Sequence, residues 1–189
     1  MPRTTWPCLP DYVSTGLRVL FVGINPGLRS AQVGHHFAGH SNRFWKLLSD
    51  SKLIPFPLTY REDARLLEWG IGLTNLVSRP TAGIHELTKQ DYREGRIILM
   101  NKIEALRPRI VALLGLGIAR LLFSESLEQT GSLRRGSFQI RPGLQSNSLC
   151  QTPIFVLPNP SGRNAHYSYQ SMSHLYQILR HQVDSMSDT

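Results

Sequence analysis

Apolar residues along this chain fall into two kinds of run. Four are short and nearly continuous: residues 17–22, 71–76, 109–114 and 154–157. Runs of that length, bounded by Gly, Pro or Asn, fit strands buried on both faces of a parallel sheet. Between them the apolar positions move to helical spacing. Ser41 can cap a helix to about residue 50, with Phe44, Leu47 and Leu48 on one side and Trp45 beside them. The capping box Thr59-x-x-Glu62 predicts a second helix, Leu66 and Leu67 inward, stopped by Gly70. Thr88-x-x-Asp91 caps a longer one to about residue 106. Ile97, Ile98, Met100, Ile103 and Leu106 can supply its apolar side, and Pro108 ends it. A helix to about residue 123 follows Gly115-Leu116-Gly117, and a last helix covers about 169–182. Residues 29–40 and 77–84 read as loops, and 130–151 as irregular or a hairpin. Strands alternating with helices predict an α/β fold, a three-layer α/β/α sandwich around a parallel sheet. The reading is one domain, 17–182, with an N-terminal arm (1–16) that Trp6 or Tyr12 pins to the body, and a C-terminal tail (183–189).

Composition narrows the partners. The chain has 189 residues, 41% of them apolar, enough for a packed core. No apolar run approaches the length of a membrane span, and the proline-bearing first eleven residues do not read as a secretory signal. Two cysteines, Cys8 and Cys150, cannot build a disulfide framework or supply the four ligands of an iron–sulfur cluster. A reducing compartment is expected: cytoplasmic, or nuclear in a eukaryote. The net charge of +8 favours a polyanion, because cations that neutralise phosphates gain affinity from counterion release.

Three predicted strands end in small, polar, turn-forming residues: Gly23-Ile24-Asn25-Pro26-Gly27, Thr74-Asn75 and Asn159-Pro160-Ser161-Gly162. In a parallel sheet these ends share one side, where ligands bind. Asn side chains and turn N–H groups there suit a flat, hydrogen-bonding ligand. From this segment alone, a simple strand-to-loop turn with Asn25 as its polar corner is the favoured reading. The chain has no Gly-x-Ser-x-Gly elbow, no phosphate-binding Walker loop and no paired carboxylates at a strand end. Gly115-x-Gly117 is half of a dinucleotide fingerprint, with Arg120 where the third glycine belongs. His35, His36 and His40 could ligate a metal. With no carboxylate or cysteine close in sequence, they more naturally face phosphate or a bound base beside Arg43 and Lys46.

Five ordered blocks carry a resemblance. Gly23-Ile24-Asn25-Pro26-Gly27, Gly34-His35-His36-Phe37, Asn42-Arg43-Phe44-Trp45-Lys46, Thr74-Asn75-Leu76-Val77-x-Arg79 and Pro158-Asn159-Pro160-Ser161-Gly162 resemble the mismatch-specific uracil/thymine-DNA glycosylases, over roughly residues 17–180. The resemblance implies the uracil-DNA glycosylase fold, with a short, mainly parallel sheet and a pocket at the strand ends. It implies removal of uracil, and in some members thymine, from mispairs with guanine, with no metal or organic cofactor. The partner would be double-stranded DNA carrying a mismatched or damaged base, and the protein a monomer off the membrane.

By the same resemblance Asn25 holds the attacking water. Backbone N–H groups near Ile24 and Phe37 stabilise the departing base, Phe37 stacks on it, Asn75 reads its edge, and His36 matches a pocket histidine of some members. Ser30, close to Asn25 in sequence, joins the pocket or satisfies backbone groups. Asn159, Ser161, Gly162, Arg163 and Asn164 fall in the wedge loop that enters the duplex where the base leaves. Here the chain departs from the pattern. Leucine or serine is common at 163 and arginine at 165, where this chain has Arg163 and Ala165. Arg163 is expected to contact the orphan guanine or to bind phosphate, which leaves the opposite-base preference open. Arg29, Arg43, Lys46, Arg134 and Arg135 are candidate phosphate contacts; for the last two a solvated basic face is an equal reading. The function expected is a monofunctional glycosylase that flips and hydrolytically excises uracil. The alternatives are a mismatch- or damage-binding protein of the same fold that cuts weakly or not at all, and a nucleotide-processing α/β enzyme using Gly115-x-Gly117.

Overall fold

A computed structural model describes residues 6–129 and 140–186. Arg134 and Arg135 lie outside the described residues. Strands β1 (Val19–Gly23), β2 (Ile71–Asn75), β3 (Val111–Leu114), β4 (Gly143–Leu149) and β5 (Thr152–Leu157) form one sheet in the order β2-β1-β3-β5-β4. All neighbours are parallel except β4, which pairs antiparallel with β5. The β4–β5 connection is the two residues Cys150 and Gln151, with φ of 48° and 66°. Paired positive φ values are those of the turn whose twist suits a hairpin.

Alternation along the strands fills two cores. Val19 and Phe21 point into one, with residues of α2 (Phe44–Asp50), the 3-10 segment Tyr60–Trp69 and α5 (Tyr169–Ser185); α1 (Leu28–Val33) precedes α2 in the chain. Leu20 and Val22 point into the other, with α3 (Lys89–Leu106) and α4 (Leu116–Gln129). Val19, Leu20, Phe21 and Val22 are all fully buried. At about 1.5–3 kcal/mol for each large apolar side chain buried, β1 anchors both layers. The three-layer sandwich with a mainly parallel sheet is what the sequence predicts. β2 lies on one side of β1 and β3 on the other, so the chain reverses its winding around the carboxyl end of β1. Crevices open at such reversals.

Four expectations need correction. Residues 29–40 are not all loop: α1 occupies Leu28–Val33, turning Ser30 and Ala31 inward before Gly34, at φ 77°, stops it. The inward side of α3 is Gly95, Leu99 and Ile103, while Ile97 and Ile98 stand exposed. Gly95 packs on the Leu76 carbonyl so closely that a Cβ would overlap it, and this contact rotates the helix away from the face the isoleucines suggested. Ser41 does not cap α2; Asn42 Oδ1 accepts the Phe44 N–H instead, at 3.0 Å. The expected tail begins too early, because α5 runs to Ser185 and Val183 is fully buried. Tyr12 does pin the arm, exchanging backbone hydrogen bonds with Leu73 at 3.0 and 2.8 Å.

Candidate active site

Gly23 ends β1 opposite Asn75, which ends β2. A Cβ at position 23 would stand 2.5 Å from Asn75 Oδ1 and 3.7 Å from Phe37 Cε1. Only glycine leaves that room. The bare backbone of Gly23 is thus the floor between two expected pocket residues, Asn75 and Phe37, both half-buried. Among the described residues the Asn75 side chain makes no hydrogen bond, so its amide is available to a ligand.

Two residues beyond Gly23, the Asn25 carboxamide is fixed by its nitrogen. Nδ2 donates to Thr81 Oγ1 at 2.7 Å, to the Arg79 carbonyl at 3.0 Å and weakly to the Pro26 carbonyl at 3.3 Å. Carbonyls only accept, so the amide orientation is settled chemically. Oδ1 has no partner among the described residues. The segment that holds Asn25 is itself braced. Thr81 N–H bonds the Pro26 carbonyl at 3.1 Å, and Arg79 forks onto Asp91, the capping-box partner of Thr88 in the first turn of α3, with a shortest contact of 2.7 Å. The Arg79 guanidinium and the Thr88 N–H hold the Asp91 carboxyl far below the usual carboxylate range.

The opposite rim is the loop after α1. Phe37 is left-handed at φ 53°, which costs a bulky side chain roughly 1–2 kcal/mol. Its neighbours hold it there. Before it, His36 N–H donates to Asp63 Oδ2 at 2.8 Å and His36 Nε2 to the Pro10 carbonyl at 2.8 Å. After it, Ala38 N–H donates to Ser30 Oγ at 3.1 Å, and the Ala38 carbonyl accepts Arg29 Nε at 3.1 Å. At about 1 kcal/mol net each, four such bonds exceed the strain. The Phe37 ring lies on Phe44 with centroids 4.1 Å apart. Among the described residues the backbone N–H groups of Ile24, Asn25 and Phe37 have no protein acceptor. His36, expected in the pocket, is 2% exposed and its ring is turned to the arm. Burial holds its imidazole below the usual histidine range, against the opposing influence of the Pro10 carbonyl and of Asp63 and Asp11. Ser30 is likewise a brace behind the loop. The rings of His35 and His36 are taken by Asp63 and Pro10 respectively, so they do not form a ligand set.

The third strand end, after β5, folds on itself. Asn159 Oδ1 accepts the Ser161 N–H at 2.9 Å, Ser161 Oγ accepts the Arg163 N–H at 3.3 Å, and Asn164 Nδ2 returns to the Asn159 carbonyl at 2.9 Å. Gly162 lies against Ser41, where a Cβ would collide with the serine side chain. Arg43, expected to contact phosphate, is instead the clamp of this loop. Its guanidinium donates to the carbonyls of Ser161 at 2.9 Å and Asn164 at 3.0 Å, and its own N–H to that of Pro160 at 3.0 Å. Lys46, the second expected phosphate contact, is taken by Asp50 at 2.6 Å and lies over the Tyr169 ring. Arg29 keeps both Nη groups unpaired among the described residues and stays available. Arg163 is exposed and reaches the Ala82 carbonyl at 3.2 Å, beside the segment that holds Asn25.

The strand ends therefore bring Asn25 and Asn75 to one rim, with Phe37 on the facing rim and the loop after β5 reaching the Asn25 segment through Arg163. Sequence reading missed Thr81, Asp63 and the clamp of Arg43. Arg79 stood in a quoted block without a role. Gly115, at φ 135°, turns β3 into α4 as the Gly115-x-Gly117 reading expects, while Arg120, where the third glycine belongs, is exposed on that helix. The gathered groups can orient a water on a fixed carboxamide oxygen and place backbone donors where negative charge develops beside it. A family model described as the uracil DNA glycosylase superfamily matches residues 10–181. A solution structure from Methanosarcina acetivorans, described as a "putative Uracil DNA glycosylase", is similar in fold. It has 16% sequence identity and a TM-score of 0.59, covering 96% of this chain and 99% of that one.

Proposed function

Since the chain belongs to the uracil DNA glycosylase superfamily, we propose that it hydrolytically excises uracil from G·U mispairs in double-stranded DNA. The observation that carries this reading is the Asn25 carboxamide, fixed by Thr81 and Arg79 through its nitrogen with its oxygen unpartnered. In this reading the target nucleotide leaves the stack and uracil enters over Gly23, between the Phe37 ring and the Asn75 amide. Stacking on an aromatic ring is worth about 1–3 kcal/mol per base. The Asn75 NH2 donates to uracil O4 and its Oδ1 accepts N3–H.

The bond from C1′ to N1 then breaks, its electron pair leaving with the base and the sugar taking oxocarbenium character. The N–H groups of Ile24 and Phe37 meet the negative charge on the base. A water donating one hydrogen to Asn25 Oδ1 presents its lone pair to C1′ and adds there. Its proton ends on the released uracil, leaving an abasic sugar. An amide is too weak a base to remove that proton early, so Asn25 contributes orientation. Arg163 swings from Ala82 into the vacated stack against the orphan guanine, and Arg29 meets phosphate.

The test is strand cleavage by hot alkali after incubating excess protein with labelled duplexes. These carry uracil, thymine, ethenocytosine, hypoxanthine or xanthine opposite each base. Uracil opposite guanine is expected to be cut fastest. No abasic product from any of them, alongside tight mismatch binding, would overturn the proposal in favour of a binding protein.

A further inference from the structure

Asp63 has no part in the chemistry above, yet it is the most heavily engaged carboxylate behind the site. It sits in the 3-10 segment Tyr60–Trp69 and is 1% exposed. Oδ2 accepts the His36 N–H at 2.8 Å, and Oδ1 accepts from His35 Nδ1 and the Ala64 N–H, each at 3.0 Å. The Tyr12 phenol, from the arm, is near enough that burial and then the charge of Asp63 raise its pKa. Among the described residues no lysine or arginine faces it. A buried carboxylate satisfied this way is a poor source of stability, since an apolar residue of similar size would avoid its desolvation. What it does provide is position. Two of its donors, His35 and His36, immediately precede Phe37, which must stay left-handed with its N–H unpaired. The residue after Phe37 is held independently by Ser30 and Arg29; before it, Asp63 is the side-chain anchor, beside the Pro10 carbonyl on the His36 ring and the Ser30 carbonyl on the His35 N–H.

We propose that Asp63 is a positioning residue: by fixing His35 and His36 it sets the Phe37 ring and N–H for the flipped base, and so sets the excision rate without touching DNA. The inference rests on the glycosylase reading. Its test compares Asp63→Ala with Asp63→Asn, which keeps the volume and one acceptor oxygen for the His36 N–H. Single-turnover excision of uracil is measured at saturating protein, where the rate constant reports only folded molecules. The alanine variant is expected to be at least thirtyfold slower and the asparagine variant to recover much of that loss, with duplex affinity within threefold in both. Partial unfolding alone would lower the active fraction and leave the rate constant in place. Both rate constants within threefold of the native chain would overturn the proposal. Where the alanine variant does not fold, the asparagine variant carries the test, with an expected threefold or greater slowing.

Amide hydrogen exchange at His36, whose N–H donates to Asp63, reads the anchor without activity. It should accelerate at least tenfold in the alanine variant, with Ala38 and β1 amides unchanged, and unchanged exchange at His36 would overturn the proposal. Accelerated exchange in a protein whose native form leaves uracil intact would uphold the anchor and count against the glycosylase reading only.

Discussion

On the Asn25 rim, main chain holds main chain. Leu76 N–H bonds the Gly23 carbonyl at 2.8 Å, Val77 N–H the Ile24 carbonyl at 2.9 Å and Thr81 N–H the Pro26 carbonyl at 3.1 Å, so the turn after β1 and the segment after β2 continue the sheet. On the Phe37 rim, side chains from separate elements do the holding: Asp63 from the 3-10 segment, Ser30 and Arg29 from α1, and the arm through Pro10. The first rim inherits the rigidity of the sheet. The second is a loop whose shape depends on a few polar contacts, one of them to a buried carboxylate. In the proposed reading the sheet-built rim holds the water still and, through Asn75, reads the base edge, while the loop-built rim supplies the ring on which the base stacks.

Of the changes that leave Asn25 in place, Gly23→Ala has the largest expected effect, because it strikes where the rims meet. Its methyl would need the space of Asn75 Oδ1, only 2.5 Å away. Single-turnover excision should fall by about a hundredfold or more, the equivalent of about 2.7 kcal/mol in the barrier, while the thermal midpoint moves little. Next comes Thr81→Val on the sheet-built rim. It removes the shortest bond to the Asn25 nitrogen while keeping the side chain's shape. With the Arg79 carbonyl still in place, a loss of about tenfold is expected, matching one hydrogen bond of about 1.4 kcal/mol, with unchanged duplex affinity.

The smallest effect concerns the loop-built rim and its dependence on pH. Burial depresses the His36 pKa below its unfolded value, which is about 6.5. The unfolded chain therefore takes up the proton first as pH falls. The stabilising contribution of neutral His36 is complete above about pH 6.5 and is lost progressively below it, by up to about 1.4 kcal/mol per pH unit. Thermal scans should show a steeper fall in midpoint between pH 6.5 and 5 for the native chain than for His36→Gln. Equal slopes would show that protonating His36 does not weaken the loop.

The same contrast explains what could be read from the sequence. β1, β2, β3 and β5 announce themselves as apolar runs, and Asn25 and Asn75 fall at their ends by simple counting. The rim they form was therefore legible. α1 was not, because six residues between Gly27 and Gly34 are too few for a helical period to show. The packed side of α3 was misjudged because a glycine, Gly95, makes the closest contact, and hydrophobic patterning assigns no weight to glycine. Asp63 reads as an ordinary acidic residue in a helix first turn beside the Thr59–Glu62 capping box; its partners lie 27 and 28 residues away in sequence. Arg43 reads as one of a basic pair with Lys46, yet its acceptors in the segment after β5 are 117 to 124 residues distant. Contacts between segments that far apart leave no local signature.

The account turns on a water held by Asn25, and single-turnover excision from a G·U duplex by the native chain and by Asn25→Ala tests it most directly. The prediction is a native chain that releases uracil and a variant slowed by about a hundredfold to a thousandfold, the range expected when one oriented catalytic group is removed, with mismatch affinity within threefold. A variant that cuts within threefold of the native rate would contradict it.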